Sequence, residues 1–448
     1  MVCWLYAGLV ADPVAPDFPE ERLLENASRP ASARGGLRHA STARGEGRAR
    51  KSPMATTADL VVIGAGIGGA STAFFAARSG LRVVVVEQAL PGSGASGRTA
   101  GYIRCHYANA PETYFAHEGW KIHTRWKEVV GGDNGFRRVG FLFIVPPALG
   151  PTLEKNVETL RRAGVNTRVV DAAELRALQP FMETGDVGAA AYEPESGYAD
   201  PGDSIGSLLA GVKARGGRVL VDAGPARLVV DRSRIAGVRL GSETVAAPNA
   251  VVAAGAGSRD LLAAVGVDLP VFPMPIGAGL LYRAPGSIPP MCVIDHAAEQ
   301  WYRGEIGDAM VIGAGYEDSI GFRGEAFHGK ADFTPPTRDE LVAAATGLLS
   351  RIPDLGEARP GPTWVGLDSR TPDGHAFAGP VPGVQGLFVL TGGNGKGFKF
   401  GPSMGRALAE VVAGVPLETS PLAPFSPARL ETGQAIRGEH EYGWGSFA

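Results

Sequence analysis

Only three cysteines occur in 448 residues, Cys3, Cys105 and Cys292, too few and too scattered for a disulfide framework. The eight histidines are equally dispersed. No His-x-Glu, His-x-x-x-His or Cys-x-x-Cys grouping brings ligands to one face, so no structural metal is expected. Long apolar runs are missing as well. The longest, such as Leu60–Ile63 and Val83–Val86, have strand length and fall far short of the roughly 20 residues that cross a bilayer. A formal charge of −3 leaves no basic surplus for a polyanion, which argues against nucleic acid as a partner. Internal repeats and coiled-coil heptads are also lacking. Together these absences suit a soluble protein of a reducing cytoplasm with no membrane span.

What is present is a globular composition, 44% hydrophobic and 20% charged, enough for one large core or two unequal ones. Residues 1–53 stand apart. From Ala27 to Pro53 the chain is mostly Ala, Arg, Gly and Ser with the single acid Glu46, a composition that cannot bury enough apolar surface to order itself. Transit peptides share the Arg and Ser, but Asp12, Asp17, Glu20, Glu21 and Glu25 argue against that reading. Residues 1–53 are therefore expected to be a disordered tail, with the functional protein starting at Met54.

From Asp59 the pattern is α/β. Leu60–Ile63 reads as a strand, a glycine turn follows, a helix runs through Ala77, and Arg82–Val86 is a second strand. Near Asp203 another helix carries Ile205, Leu208, Leu209 and Val212 on one face, and Gly216-Gly217 stops it before the strand Arg218–Val221. Arg227–Asp231 and Arg234–Leu240 read as a hairpin, and Ala250–Ala254 as a buried strand. Last come the strand Leu387–Thr391, a glycine loop, and a helix starting near Pro402 with Met404, Leu408, Val411 and Val412 on its apolar face. These pieces predict a discontinuous Rossmann-like nucleotide domain over 54–135, 200–264 and 361–430. Residues 136–199 and 265–360 lack the βαβ rhythm and carry runs such as Val139–Val145 and Met310–Ile312. They predict a second, mostly antiparallel α+β domain, with 431–448 as a C-terminal tail.

Val61-Val62-Ile63-Gly64-Ala65-Gly66-Ile67-Gly68-Gly69 places Gly64, Gly66 and Gly69 in G-x-G-x-x-G spacing between a predicted strand and helix. Gly64 permits the tight turn, Gly66 lets backbone approach a pyrophosphate, and Gly69 lets the helix pack close, with the helix N-terminus supplying N–H groups and positive dipole. Glu87 ends the second strand, where an acid can bond ribose hydroxyls. Pro91-Gly92-Ser93-Gly94-Ala95-Ser96-Gly97-Arg98 is a second small-residue segment able to wrap a pyrophosphate through backbone N–H groups and the Ser96 hydroxyl.

With these elements in place the chain resembles the D-amino-acid-oxidase-like FAD-dependent oxidoreductase superfamily, and within it the sarcosine oxidase and dimethylglycine dehydrogenase branch. Val61–Glu87 carries the likeness, with Gly94-Ala95-Ser96-Gly97-Arg98-Thr99-Ala100-Gly101-Tyr102-Ile103-Arg104, and Thr371-Pro372-Asp373-Gly374 followed by Gly393-Asn394-Gly395-Lys396-Gly397-Phe398-Lys399-Phe400. Tyr302-Arg303-Gly304 and Ala253-Ala254-Gly255-Ala256-Gly257 are similar to family elements. The resemblance implies FAD stretched across the sheet, adenine near Glu87 and the flavin between the two domains. The cofactor-binding set it implies is Gly64, Ala65, Gly66, Ile67, Gly68, Gly69, Glu87, Gln88, Ser96, Gly97, Arg98, Ala226, Ala254, Gly255, Gly393, Asn394, Gly395, Lys396, Gly397 and Phe398. Arg104 and Lys399 match positions that hold a substrate carboxylate, a task suited to a guanidinium and an ammonium. Tyr302 matches an active-site tyrosine. His106, His375 and Asp373 read as structural.

The resemblance implies an oxidoreductase that takes hydride from the C–N unit of a small secondary or N-methylated amino acid, giving an imine that hydrolyses. Oxygen or an electron carrier would be the acceptor. A primary amino acid such as glycine, or a 2-hydroxy acid, would use the same anchor, and a flavin-binding subunit needing a partner chain remains an alternative. The chain also departs from the pattern. One branch attaches flavin through a cysteine where this sequence has Gly366, and another through a histidine where it has Arg98, so the FAD is expected to be non-covalent. A lysine found near the flavin in simple sarcosine oxidases is missing from Val311-Ile312-Gly313-Ala314-Gly315-Tyr316, leaving a dehydrogenase, or an oxidase using another cation such as Arg303.

Overall fold

The computed structural model describes residues 56–315 and 334–442. The expected tail over 1–53 and the position of Tyr316 lie outside the described residues. Leu60–Ile63 and Val83–Val86 are buried at every position, which is why they read as unbroken Val, Ile and Leu rather than alternating. They lie inside a six-stranded sheet in the order Arg218–Leu220, Val83–Val86, Leu60–Ile63, Ala250–Val252, Leu387–Thr391 and Phe377–Pro380. The first five run parallel and the last is antiparallel. Helix Ile67–Arg78 covers one face and packs against the last helix, where added Cβ atoms at Gly401 and Gly405 would lie 2.8 Å from Ile67 and 2.6 Å from Ser71. The predicted hairpin forms as Ala226–Asp231 with Arg234–Leu240.

An eight-stranded sheet carries the second region, in the order Arg359–Arg370, Phe272–Tyr282, Ala309–Gly313, Gln300–Gly304, Cys292–Asp295, Phe141–Val145, Ala189–Glu193 and Arg168–Val170. All its pairings are antiparallel except Cys292–Asp295 with Phe141–Val145. Its edge strand, Arg359–Arg370, crosses position 360, where the sequence suggests a boundary, because its ladder to Phe272–Tyr282 continues to Arg370.

Two further differences bear on the site. The last helix spans Gly397–Val412 instead of starting near Pro402. Pro402 lacks the N–H that would bond the Phe398 carbonyl and its ring crowds that carbonyl, yet its fixed φ suits a helix and the turn before it winds. Part of the expected C-terminal tail is also docked. Tyr442 is buried, and its hydroxyl lies 2.7 Å from His106 Nε2.

Candidate active site

A cavity of about 930 Å³ is lined by both regions. Its nucleotide end is built by the first strand, turn and helix. A Cβ at Gly69 would stand 2.0 Å from the Gly64 oxygen, so only glycine lets the helix begin so close to the strand. A Cβ at Gly66 would meet Ser96 Oγ at 3.0 Å, and that hydroxyl accepts a hydrogen bond from Ile67 N at 3.1 Å. The two small-residue segments are thus tied together. Glu87 accepts from Ala65 N at 2.8 Å and Ala89 N at 3.0 Å, which places its carboxylate at the end of the second strand.

The other end lies between the glycine loop after Leu387–Thr391 and the large sheet, with Ile276, Ala278, Ile294, Trp301 and Asp368 on the sheet side. Arg104, Lys396 and Lys399 bring positive charge there. Lys396 is fully buried and spoken for: its ammonium lies 2.5 Å from Glu112 Oε1 and donates to the Gly374 carbonyl at 2.8 Å. Glu112 also takes His375 Nδ1 at 2.7 Å and Asn109 Nδ2 at 2.9 Å. Burial works to raise the Glu112 carboxyl, but Lys396 and His375 outweigh it and hold it down at about 2.

Lys399 is placed differently. It sits in the first turn of the last helix, buried, with its Nζ 3.4 Å from the Gly395 carbonyl and with no ion pair among the described residues. Burial first, then the neighbouring Arg104 and Lys396, push its proton affinity well below the ordinary lysine value. A cation at a helix N-terminus also opposes the dipole, whose positive end favours anions. Gly119 makes this placement possible, since a Cβ there would stand 2.2 Å from the Lys399 carbonyl oxygen. Arg104, equally buried, donates to the His106 carbonyl and lies 4.3 Å from the Tyr107 ring centre.

Of the residues expected from sequence, Gly64, Gly66, Ile67, Gly68, Glu87, Gln88, Ser96, Arg98, Ala226, Ala254, Gly255, Gly393, Gly395, Lys396, Gly397, Phe398, Arg104 and Lys399 line this one cavity. Ala65, Gly69, Gly97 and Asn394 do not. Ala65 and Gly69 shape the turn, and Gly97 N bonds Gly92 O at 2.9 Å to close its own loop. Asn394, with φ of 48°, turns inward to accept from Thr371 N and donate to Thr371 Oγ1, both at 3.1 Å.

Tyr302 is a clear correction. It is fully buried among Leu142, Met310 and Ile312, with its hydroxyl 3.3 Å from Asp295 Oδ2, and the residue facing the cavity is its neighbour Trp301. Side chains alternate across a strand, so the aromatic pair had to split, and the sheet's pairing put Tyr302 on the far face. Arg303 is likewise withdrawn from the cavity wall: its Nε donates to the Ala100 carbonyl at 2.7 Å and its Nη1 pairs with Glu305 at 2.8 Å. Glu112, Trp301 and Asp368 are site residues that sequence reasoning missed. The Asn109-x-x-Glu112 spacing marks a helix start, which forms with Glu112 N bonded to Asn109 Oδ1 at 2.9 Å, but nothing local ties Glu112 to Lys396.

A glycine turn at a helix start, an acid closing the next strand and a second sheet over the far end define a two-part dinucleotide-binding protein. The chain belongs to the FAD dependent oxidoreductase (DAO) family, whose pattern matches residues 59–411. It is 28% identical over 374 residues to the mitochondrial sarcosine dehydrogenase of Mus musculus, covering 81% of this chain and 40% of that protein. It is 29% identical over 382 residues to glycine oxidase of Pseudomonas aeruginosa, covering 82% of this chain and 98% of that one. The chain thus spans less than half the length of the mammalian relative and nearly all of the bacterial one. The crystal structure of L-proline dehydrogenase from P. horikoshii matches with a TM-score of 0.77 and 23% identity, over 86% of this chain and 100% of that one, which shows the shared fold. FAD is the cofactor of this family, and the cavity suits it: Gly64, Gly66, Gly68, Gly393, Gly395 and Gly397 present backbone to its lining, and a Cβ at Gly397 would have no protein atom within 4 Å.

Proposed function

We propose that this chain oxidises a small secondary or N-methylated amino acid, holding the substrate carboxylate with Lys399 and Arg104. The observation that carries the reading is Lys399, a buried amine in a helix's first turn with no acid paired to it among the described residues. A buried charge without a partner is costly, so a site that keeps one is built for an incoming anion. When bound, FAD supplies the acceptor for a hydride from the substrate's C–N unit, after which the imine hydrolyses. The protein's own residues anchor, orient and enclose. Gly64, Gly66, Ile67, Ser96 and Glu87 would hold the nucleotide half, and Gly393, Gly395 and Phe398 the flavin half. Trp301, Ile276 and Ile294 wall the substrate end with apolar surface that excludes water.

Oxygen or an electron carrier takes the electrons onward. Similarity to glycine oxidase along nearly its whole length supports a second reading, a primary amino acid as substrate. Anaerobic bleaching of the purified protein against N-methylglycine, N,N-dimethylglycine, proline, glycine and lactate tests both. Product analysis separates methylamine or formaldehyde from ammonia, and hydrogen peroxide measured after admitting oxygen separates the acceptors. If lactate alone bleaches the flavin, both readings are lost. Bleaching by none of these acids alone, with activity restored by a second chain, marks a flavin-binding subunit.

A further inference from the structure

Four acids line the cavity: Glu87, Glu112, Asp260 and Asp368. Glu87 is at the nucleotide end, Asp260 is exposed, and Glu112 is neutralised by Lys396 and His375. Asp368 differs from all three. It is buried on the edge strand of the large sheet, sharing a face with Gly366 and Trp364, and its carboxylate meets the glycine loop at Gly395. Oδ1 accepts from Ser369 N at 2.8 Å and Oδ2 accepts from Gly395 N, while Arg370 Nε stands 3.9 Å from Oδ2. Each carboxylate oxygen has two acceptor directions, so one on each remains after the backbone bonds are made. The far end of the cavity therefore carries charge of both signs, Arg104 and Lys399 together with Asp368 of the edge strand, the lysine and the acid each bonding to Gly395.

We propose that Asp368 is the specificity-determining acid of this site, receiving the positively charged amine of the substrate while Lys399 and Arg104 hold its carboxylate. The inference rests on the carboxylate-anchoring role given to Lys399 above. A zwitterion satisfies both the cationic pair and the acid at once. A 2-hydroxy acid satisfies only the cationic pair and leaves the buried Asp368 carboxylate with the distant Arg370 contact and its two backbone bonds. Asp368 also meets a chemical need. Hydride loss requires the nitrogen lone pair, and transfer of one proton from the ammonium nitrogen to an Asp368 oxygen leaves a neutral amine and a neutral carboxyl. Burial raises the proton affinity of the Asp368 carboxyl, which favours that transfer.

Matched ligand pairs test the proposal in the FAD-loaded protein. N-methylglycine is compared with methoxyacetate, and proline with tetrahydrofuran-2-carboxylate. Each pair shares a carboxylate and a shape and differs in having a charged nitrogen or an ether oxygen. Affinities are read anaerobically from the flavin spectrum, or from the concentration dependence of its bleaching. Asp368→Asn removes the charge and keeps an acceptor oxygen for one of the two backbone N–H groups, whereas Asp368→Glu keeps both acceptor oxygens and the charge. The expected result is a fall of about tenfold or more in the preference for the amine of each pair, with ether binding unchanged or tighter. Equal weakening of amine and ether would show that Asp368 acts only through the loop it braces, and an unchanged preference would show no role; either overturns the proposal. Should Asp368→Asn lose its FAD, Asp368→Glu must retain the amine preference, and its loss there also overturns it. If neither member of either pair perturbs the wild-type flavin, carboxylate anchoring itself fails, a distinct outcome that removes the basis of both readings.

Discussion

Replacing Lys399 with Met retains most of the apolar stem, removes the charge and tests the site at its most exposed assumption. Lys399 is 4% accessible, and the polar contact of its ammonium is a long one to the Gly395 carbonyl at 3.4 Å. The substitution therefore breaks few contacts of the protein, which should be no less stable, since a buried charge with no ion pair among the described residues is removed. Its effect falls on anions. A hydrogen bond to a charged group contributes about 1.5–3 kcal/mol, so carboxylate ligands should bind about 10- to 150-fold more weakly, with FAD content unchanged. The pH dependence gives a second readout. Only protonated Lys399 attracts the anion, and its proton affinity in the free enzyme is lowered well below the ordinary value of 10.5 by burial and by Arg104 and Lys396. Wild-type carboxylate affinity should hold at low pH and decline as pH rises through that lowered value, whereas the Met variant should show no such decline. Titration of the flavin spectrum with methoxyacetate across pH measures both. Equal affinities in the two proteins, or a pH decline that persists in the variant, would refute the assignment of Lys399 as the anchor.

Gly66→Val should purify without FAD, because the new side chain meets Ser96 Oγ and fills the approach to the helix start; a yellow variant with one flavin per chain would mean the turn is misread. Acid precipitation of the wild-type protein should release all its flavin as free FAD. The two positions that carry attachment residues in relatives meet here as Gly366 and Arg98, 3.3 Å apart at their β-carbon sites, and neither offers a thiol or imidazole. Colour left in the pellet would disprove it. Glu112→Ala leaves the Lys396 ammonium buried without its acid and should cost about 3–5 kcal/mol in denaturant unfolding. The Glu112 carboxyl is held at about 2, below its ordinary 4.5, so its contribution is present above pH 4.5 and is lost as pH falls toward 2. An acid-unfolding profile of the variant that matches wild type would count against this network.

The sequence by itself determined the nucleotide half. A strand buried on both faces, a turn of glycines and a helix start are local and consecutive, so Leu60–Glu87 shows its structure in its own order of residues, and Ser96 and the loop before Lys399 could be read the same way. The tertiary structure decided which faces meet. Trp301 and Tyr302 are neighbours in an alternating strand, and only the pairing of Gln300–Gly304 between Cys292–Asp295 and Ala309–Gly313 sends one to the cavity and the other to the core. Glu112 meets Lys396, and Asp368 meets Gly395, through contacts between segments distant in the chain. Such pairings have no local signature, because the charge each acid must balance is supplied by a segment that arrives only on folding. The last helix shows the same division. Proline at 402 suggests a start, yet packing against Ile67–Arg78 and Ala110–Thr124 winds the chain from Gly397 and so places Lys399 at a helix N-terminus, where burial leaves its charge to be met from within the cavity.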